Sequence, residues 1–295
     1  MIEIAQIEIS LGTRIEKNKY LENKFNLRKG SILALTGIEK RYISKNNETA
    51  ENLAINACKK IKKEKLKKIS HVISVTNTPS IKFPGISNFV SSYLKLQSVQ
   101  CLNLNQGCTG YVDALQLCYS IIKCSKESEI LLITSDTYSK YINPHNKAIK
   151  CLFSDGASVS IIKYKKKGLN IKKIINKSIN NSENNLIFLK DEIKMDGPAI
   201  VSFAIKDVLP DILKLSKQAD CIISHQAGKI VIDQIKKKIN KKIFFPINYK
   251  EYGNLVSTSI PLLLKQNLKK FKSMKKVLFC GFGVGLSASF ILFHK

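Results

Sequence analysis

The sequence contains no Trp, and only three of its 49 basic residues are Arg, namely Arg14, Arg28 and Arg41. No helix-turn-helix pattern, zinc finger or RNA-binding aromatic signature accompanies the net charge of +27. The lysines are spread over most of the predicted helices, and the chain is rich in Ile, Lys and Asn together, a bias that an AT-rich coding sequence produces. We therefore expect no nucleic-acid partner, although a basic surface would attract an acidic protein.

Cysteine pairs in a CxxC spacing and long apolar runs are absent as well. The eight cysteines are scattered, and the start of the chain, MIEIAQIEIS, has an early Glu and lacks the basic-then-apolar order of a signal peptide. The longest apolar runs, such as 129-EILLIT-134, are far too short to span a bilayer. The sequence therefore predicts a soluble, cytoplasmic protein with no membrane span, disulfide or metal site, in which most cysteines are small buried hydrophobes.

Apolar strand patterns alternate with helical patterns along the 295 residues, which predicts an α/β protein. The two halves, 1–165 and 166–295, repeat a similar order, which predicts an internal duplication with buried, mostly parallel sheets. Segment 36–44 is predicted to be irregular, 151–164 a pair of strands and 180–185 a low-complexity loop. The predicted strands are 2–10, 69–77, 98–105, 129–136, 169–179, 220–225, 243–247, 275–283 and 286–293. The predicted helices are 48–66, 86–96, 109–124, 198–217, 226–239 and 256–270.

Cys108 lies in 106-QGCTG-110, between a predicted strand and a predicted helix. A strand-turn-helix with flanking glycines is the geometry of a nucleophile elbow, since Gly107 and Gly110 let the backbone turn sharply. The free N–H groups at the helix start are expected to lower the pKa of the thiol. The alternative is a buried cysteine in a tight turn.

His225 ends a short apolar strand in 224-SHQAGK-229 and precedes a helix. The carboxyl end of a strand is where α/β proteins usually place their sites, so the ring could face a cleft. Taken alone, the position equally fits a capping or core histidine.

Asn254 follows a glycine in 252-YGNLVSTSIP-261 and precedes a helix rich in small residues at its start. It could be a turn residue or a helix N-cap. A neutral amide donor beside a neutral histidine could instead bind a developing enolate oxygen.

The glycine-rich segment 281-GFGVG-285 lies at the end of the apolar predicted strand 275–283. It is not a dinucleotide fingerprint, because a strand pattern follows it where a helix is required. Backbone N–H groups of Gly283, Val284 and Gly285 could instead stabilise an oxyanion.

These segments occur in an order that resembles the β-ketoacyl-acyl-carrier-protein synthase III family of the thiolase-like superfamily. The resemblance covers nearly the whole chain and includes 36-TGIEKR-41 and 81-IKFPG-85 as well. It rests above all on the Cys in QGCTG, the His in SHQAG and the Asn after YG, in that order.

The resemblance implies a thiolase-like, internally duplicated, five-layered α-β-α-β-α fold and a homodimer without a cofactor beyond its acyl-thioester substrates. It implies that Cys108 accepts the acyl group and that His225 and Asn254 bind the thioester carbonyl of a malonyl extender. The N–H groups of Cys108 and of 283–285 would form an oxyanion hole, and Phe83 would reach the partner subunit's acyl pocket. Acyl-carrier protein would dock at Lys236, Lys237 and Lys238.

The chain also departs from the family pattern. Ser31 and Leu35 stand where initiating members hold coenzyme A with a Trp and an Arg, and a further Arg is replaced near 147–148. HQAN reads HQAG with Gly228, and Val284 replaces the middle glycine of the last loop. The stretch between Cys108 and His225 is also shorter than usual. The acyl donor, coenzyme A or the phosphopantetheine of a carrier protein, is therefore left open.

Three functions are compared on this basis. The first is a decarboxylative Claisen condensation in fatty-acid or related lipid biosynthesis, which Asn254 favours. The second is acyl transfer to a hydroxyl or amine of a sugar or secondary metabolite, for which the family's specialised relatives often replace the Asn. The third is a non-catalytic scaffold, against which the intact Cys, His and Asn argue. The acyl chain length, the acceptor and the pathway stay open.

Overall fold

The computed structural model describes all 295 residues and contains thirteen strands and thirteen α-helices. The strands are β1 (Ile2–Leu11), β2 (Arg14–Lys17), β3 (Lys40–Ile43), β4 (Ile69–Val75), β5 (Gln100–Leu104), β6 (Glu129–Asp136), β7 (Gly156–Tyr164), β8 (Asn170–Ser178), β9 (Leu186–Leu189), β10 (Glu192–Met195), β11 (Cys221–Ser224), β12 (Lys276–Gly283) and β13 (Ser287–His294). The helices are α1 (Asn18–Lys24), α2 (Ser31–Thr36), α3 (Ala50–Cys58), α4 (Lys63–Leu66), α5 (Ile86–Tyr93), α6 (Gly110–Cys124), α7 (Lys147–Lys150), α8 (Gly197–Phe203), α9 (Leu209–Ser216), α10 (Lys229–Lys238), α11 (Tyr249–Tyr252), α12 (Ser259–Gln266) and α13 (Leu268–Ser273).

Two large sheets share one topology. The first has the order β1-β7-β6-β4-β5, in which β7 pairs antiparallel with β1 and with β6, and β4 pairs parallel with β6 and with β5. The second runs β8-β13-β12-β11 with the same sequence of directions. A parallel bridge between Cys221 and Phe244 adds segment 243–247 where β5 lies in the first sheet. This repetition is the internal duplication that the sequence predicted. The expectation of mostly parallel sheets was wrong, because two strand pairings in each sheet are antiparallel.

The central strands are buried on both faces, which explains their continuous apolar sequences. Along β6, Ile130 and Leu132 face the middle of the molecule, whereas Leu131 and Ile133 face the outer helices. The largest core joins both sheets through α6 and α12. Helices α3 and α5 cover the outside of the first sheet, and α9 and α10 cover the second. The result is a five-layered α-β-α-β-α fold.

All strands of the first sheet lie within residues 2–164 and those of the second within 170–294. The division at 165/166 falls between these two ranges and stays a prediction, because the two sheets share one core. No helix of the structure is long and apolar enough to cross a membrane.

Several local predictions were wrong. The predicted helix 48–66 is two helices, α3 and α4, because residues 59–62 form a turn between them. Segment 151–164 is a turn followed by the single strand β7, and the irregular segment 36–44 contains β3, which pairs with β2. The hairpin of β9 and β10 was missed, since it is short and follows a polar loop. Residues 256–270 begin with a 3-10 turn at Val256–Thr258 before α12 and α13.

Candidate active site

Cys108 lies in the turn that joins β5 to α6, two residues before the helix begins at Gly110. The sulfur is almost fully enclosed, with the residue 4% exposed. Neither Gly107 nor Gly110 has room for a side chain. A β-carbon at Gly107 would lie 2.6 Å from Asn77 Oδ1, and one at Gly110 would clash with Val75. The elbow predicted from the sequence is therefore present, and it presents the thiol to the inside of the molecule.

The pKa of Cys108 contradicts the expectation drawn from the helix N-terminus. Burial, followed by the nearby charge of Asp136, raises the pKa of this thiol to about 12. The backbone N–H of Val284 acts in the opposite direction and lowers the pKa, but it does not offset the burial. The free protein therefore holds Cys108 as a thiol at neutral pH, and a base or the incoming substrate must assist its ionisation.

The glycine-rich segment at the end of β12 lies directly against the nucleophile. A β-carbon at Gly283 would lie 2.8 Å from the sulfur of Cys108, and one at Gly281 would lie 2.9 Å from its carbonyl oxygen. The backbone of Val284, next along the chain, lies near enough to lower the pKa of the thiol. This contact supports the hypothesis that the backbone of 283–285 binds the oxygen of an acyl group carried by Cys108.

His225 directly follows β11 and is buried. Its backbone N–H donates to the carbonyl of Cys280 at 2.8 Å, and its ring lies edge-on to Phe282 with the centroids 5.6 Å apart. Nδ1 lies 2.8 Å from the hydroxyl of Ser259. Burial lowers the pKa of His225 to about 4, so the imidazole is neutral at physiological pH.

Asn254 is held by the residue two positions later. The backbone N–H of Val256 donates to Oδ1 of Asn254 at 2.9 Å, which leaves the amide Nδ2 as the donor available to a ligand. Val256 has a φ of +50°, a left-handed conformation that a β-branched residue rarely adopts. Its carbonyl accepts from the Ser259 hydroxyl at 2.8 Å, so one residue connects Asn254 to the partner of His225.

These contacts bring the three predicted residues into one arrangement. Val256 belongs to the same buried cluster as Cys108, while Asn254 and His225 are both fixed by the turn 254–259. A neutral imidazole and a primary amide fit the stabilisation of an enolate oxygen, since both donate hydrogen bonds without a competing charge. No group of three or more His, Cys, Asp or Glu side chains is arranged to hold a metal.

The remaining predicted residues lie outside this arrangement. Phe83 is 86% exposed, in a loop before α5, and makes no contribution to the site of its own chain. Lys236, Lys237 and Lys238 are exposed in the last turn of α10, the helix that follows His225. Their roles stay predictions.

Sequence reasoning missed two groups at the site. Ser259 contacts His225, and Asp136 accepts from the hydroxyl of Ser257 at 2.8 Å. The available signal for Asp136 was its place at the end of the apolar run EILLITSD, where a carboxylate follows a buried strand. Nothing in the sequence pattern indicates which hydroxyl would contact it.

Two family models match the chain. The model of 3-oxoacyl-[acyl-carrier-protein] synthase III matches residues 102–179, and the model of its C-terminal part matches residues 215–294. Together they match more than half of the chain and include Cys108, His225 and Asn254.

Curated relatives match over most of their length. β-Ketoacyl-[acyl-carrier-protein] synthase III of Streptococcus agalactiae serotype III is 29% identical over 315 residues, covering 97% of this chain and 96% of the relative. The enzyme of the same name from Acholeplasma laidlawii is 29% identical over 270 residues, covering 87% of this chain and 86% of the relative.

Solved structures agree in fold. A 3-oxoacyl-(acyl-carrier-protein) synthase III matches with a TM-score of 0.89 and 27% identity over 100% of this chain and 99% of that one. The enzyme of Aquifex aeolicus matches with a TM-score of 0.90 and 24% identity over the full length of both chains. The thiolase-like fold and the acyltransferase class expected from the sequence are thereby confirmed, and acyl transfer to a sugar or secondary metabolite is not favoured. The chain belongs to the 3-oxoacyl-[acyl-carrier-protein] synthase III family.

Proposed function

We propose that this chain joins an acyl group to a malonyl extender by a decarboxylative Claisen condensation, with Cys108 carrying the acyl group. The observation that carries the proposal is the close approach of Gly283 to the Cys108 sulfur, beside the backbone of Val284 that lowers the pKa of the thiol. An acyl group on this sulfur would place its carbonyl oxygen among backbone donors, where a tetrahedral intermediate is stabilised.

In the first half-reaction, the sulfur of Cys108 attacks the carbonyl carbon of an acyl thioester. The oxyanion is held by the N–H groups of Cys108 and of the 283–285 loop. Collapse expels the donor thiol, which takes up the proton that Cys108 gives up. Because burial raises the pKa of Cys108 to about 12, loss of this proton during the attack avoids the cost of forming a free thiolate first.

In the second half-reaction, the malonyl thioester loses its carboxylate as carbon dioxide, and the electron pair forms an enolate. We assign the enolate oxygen to Nε2 of His225 and Nδ2 of Asn254. Nδ1 of His225 lies 2.8 Å from the Ser259 hydroxyl, which donates to the Val256 carbonyl in the free protein. In this step the hydroxyl turns to donate to Nδ1, and Nε2 then carries the proton that it donates to the enolate oxygen. The enolate carbon then attacks the acyl carbonyl on Cys108, and the thiolate leaves with the product carbon–carbon bond formed.

The extender is proposed to arrive on acyl-carrier protein. Lys236, Lys237 and Lys238 form an exposed basic group at the end of α10, close in sequence to His225. A carrier protein of acidic surface would be attracted to this group, and the general charge of +27 would add to that attraction.

A homodimer is part of the same proposal. Phe83 is 86% exposed beside Ile81, and β5 pairs only with β4, so one edge of the first sheet is unpaired. An exposed large aromatic next to a free sheet edge is what a second copy of the chain would cover. Phe83 would then line the acyl pocket of the partner.

The donor for the first half-reaction is proposed to be an acyl-carrier protein and not coenzyme A. Ser31 and the 68% exposed Leu35 provide no aromatic face or guanidinium for an adenine. We propose no resident cofactor and a cytoplasmic location, which the eight unpaired cysteines support, because free thiols persist in a reducing compartment.

Intact mass spectrometry tests the first half-reaction. The chain is mixed separately with acetyl-coenzyme A, longer acyl-coenzymes A and acyl-carrier protein, and the mass gain is assigned by peptide mapping. The proposal expects an acyl adduct on Cys108 from acyl-carrier protein and none after Cys108→Ala. Equal labelling by coenzyme A donors would overturn the donor assignment, and no adduct from any donor would overturn the function.

A further inference from the structure

Asp136 is a buried carboxylate at the carboxyl end of β6, and neither half-reaction uses it. None of the ion pairs in the structure includes it. A buried carboxylate without a cation is unfavourable unless several hydrogen bonds compensate for its lost hydration. The position of those hydrogen bonds therefore indicates what Asp136 does.

The two oxygens of Asp136 contact two different segments. Oδ1 accepts from the backbone N–H of Asn77 at 2.8 Å and from the hydroxyls of Thr76 and Thr78 at 3.3 and 3.2 Å. Oδ2 accepts from the hydroxyl of Ser257 at 2.8 Å. One carboxylate thus joins a loop of the first half of the chain to a turn of the second.

A second contact from β6 reaches the same turn. The hydroxyls of Thr134 and Thr258 lie 2.8 Å apart, so residues 134 and 136 of β6 contact residues 258 and 257 of the turn. Thr134 also contacts the hydroxyl of Ser158 on β7, which fixes it to the sheet. The turn is therefore attached to a central strand at two adjacent points.

The turn 254–259 carries the groups that orient His225 and Asn254, the two residues assigned to decarboxylation. Val256 fixes the amide of Asn254, and Ser259 contacts Nδ1 of His225. Ser257 lies between these two anchors, and its hydroxyl makes no other hydrogen bond than the one to Asp136.

The loop 76–78 backs the nucleophile. Oδ1 of Asn77 accepts from the hydroxyl of Tyr138 at 3.0 Å and occupies the space that a side chain at Gly107 would need. Tyr138 belongs to the buried cluster that contains Cys108. Through Oδ1, Asp136 therefore holds the loop beside Cys108, which is acylated. Through Oδ2 it holds the turn that orients Asn254 and His225, which act in condensation.

We propose that Asp136 is a positioning residue. Its carboxylate fixes the turn 254–259, which orients Asn254 and His225, relative to the loop 76–78 behind Cys108. The inference rests on the proposed function. The two half-reactions can be tested separately, because the Ser257 hydroxyl contacts Asp136 only from the turn that orients Asn254 and His225.

Ser257→Ala removes the Oδ2 contact and nothing else. We expect condensation with malonyl-carrier protein to slow about tenfold or more, the size of effect that the loss of one such hydrogen bond produces, while acylation of Cys108 changes by less than about twofold. Ser160→Ala is the matched control, since Ser160 is buried on β7 and contacts only the hydroxyl of Tyr111. It should leave the ratio of the two rates unchanged.

Two further variants keep the test decisive if Ser257→Ala folds poorly. Thr258→Val removes the contact to Thr134 and a hydrogen bond to the Gly156 carbonyl at nearly constant volume, and it should also slow condensation selectively. Asp136→Asn keeps an acceptor for Asn77 but loses the charge; combined with Ser257→Ala, it should slow condensation by less than the product of the two single effects.

The pH dependence of acylation distinguishes positioning from a general loss of stability. Burial raises the pKa of Asp136 to about 7, and the titratable groups that sense its charge are Cys108 and Tyr138. In Asp136→Asn, acylation should lose its change of slope near pH 7. Ser257→Ala should retain that change of slope but move it to higher pH, because the Ser257 hydroxyl lowers the pKa of Asp136.

Both half-reactions are measured for each variant, acylation by quenched intact mass and condensation by product formation from preformed acyl-enzyme. Selective slowing of condensation in Ser257→Ala supports the inference. A ratio equal to that of Ser160→Ala, or equal slowing of both steps, overturns it while leaving the proposed function intact. An inactive parent chain overturns both.

Discussion

The α-carbon of Gly283 faces the sulfur of Cys108 so closely that a β-carbon at Gly283 would lie 2.8 Å from that sulfur. Gly283→Ala should therefore displace the sulfur or the loop and reduce the rate of Cys108 acylation by at least about a hundredfold, because the oxyanion donors move with the loop. The rate is measured by quenched intact mass spectrometry.

Gly197→Ala provides the matched control for this substitution. No atom lies within 4 Å of the β-carbon it would add at the start of α8. Acylation should be unchanged in this variant. If Gly283→Ala acylated at the rate of Gly197→Ala, the loop would not hold the acyl oxygen.

Ser259→Ala leaves Nδ1 of the buried His225 without its partner. The imidazole can then adopt either tautomer, so condensation should fall about tenfold to a hundredfold while acylation persists. The free energy of unfolding should fall by about 1–3 kcal/mol, because a buried polar atom loses its hydrogen bond. Rates of both half-reactions and urea unfolding are the measurements. A condensation rate unaffected by this variant would show that Ser259 does not orient the histidine.

The reactivity of Cys108 should increase with pH across the whole range from 6 to 9. Its pKa of about 12 lies above this range, so the thiolate fraction continues to rise. Asp136, with a pKa of about 7, gains charge as the pH rises through neutrality, which raises the pKa of the thiol and makes the increase shallower there. Alkylation by iodoacetamide, mapped to Cys108 by peptide mass, gives this profile. A plateau below pH 8 would mean that burial does not control the thiol.

Charge reversal at Lys236, Lys237 and Lys238 should raise the KM for malonyl-carrier protein by about tenfold or more, because attraction between the two surfaces is lost. The value of kcat should change little, and the effect should shrink as salt is added. The control reverses three exposed lysines around α4, Lys62, Lys63 and Lys67, which changes the net charge equally. Equal KM values in the two variants would place the carrier protein elsewhere.

The sequence indicates the three proposed catalytic residues because each stands at a distinctive position. Cys108 is flanked by glycines between a strand and a helix, His225 ends an apolar strand, and Asn254 follows a glycine. These positions made the chemistry plausible, and the order of the motifs indicated the family. Phe83 and the three lysines of α10 came from the resemblance alone.

The thiol pKa and the Asp136 contacts could not be predicted in the same way. A turn before a helix suggests a lowered pKa, but the burial that raises the pKa of Cys108 depends on the loop 281–285 from the other half of the chain. Asp136 and Ser257 are 121 residues apart in sequence. Their contact follows from the packing of both halves around one core, which local patterns do not specify.

Peptide mapping of the His225→Ala chain after incubation with acyl-carrier protein and malonyl-carrier protein tests the central claim most directly. The account predicts that an acyl group accumulates on Cys108 and that no carbon–carbon product forms, because acylation continues while decarboxylation fails. Product formation at the parent rate, or an acyl group on a residue other than Cys108, would contradict it.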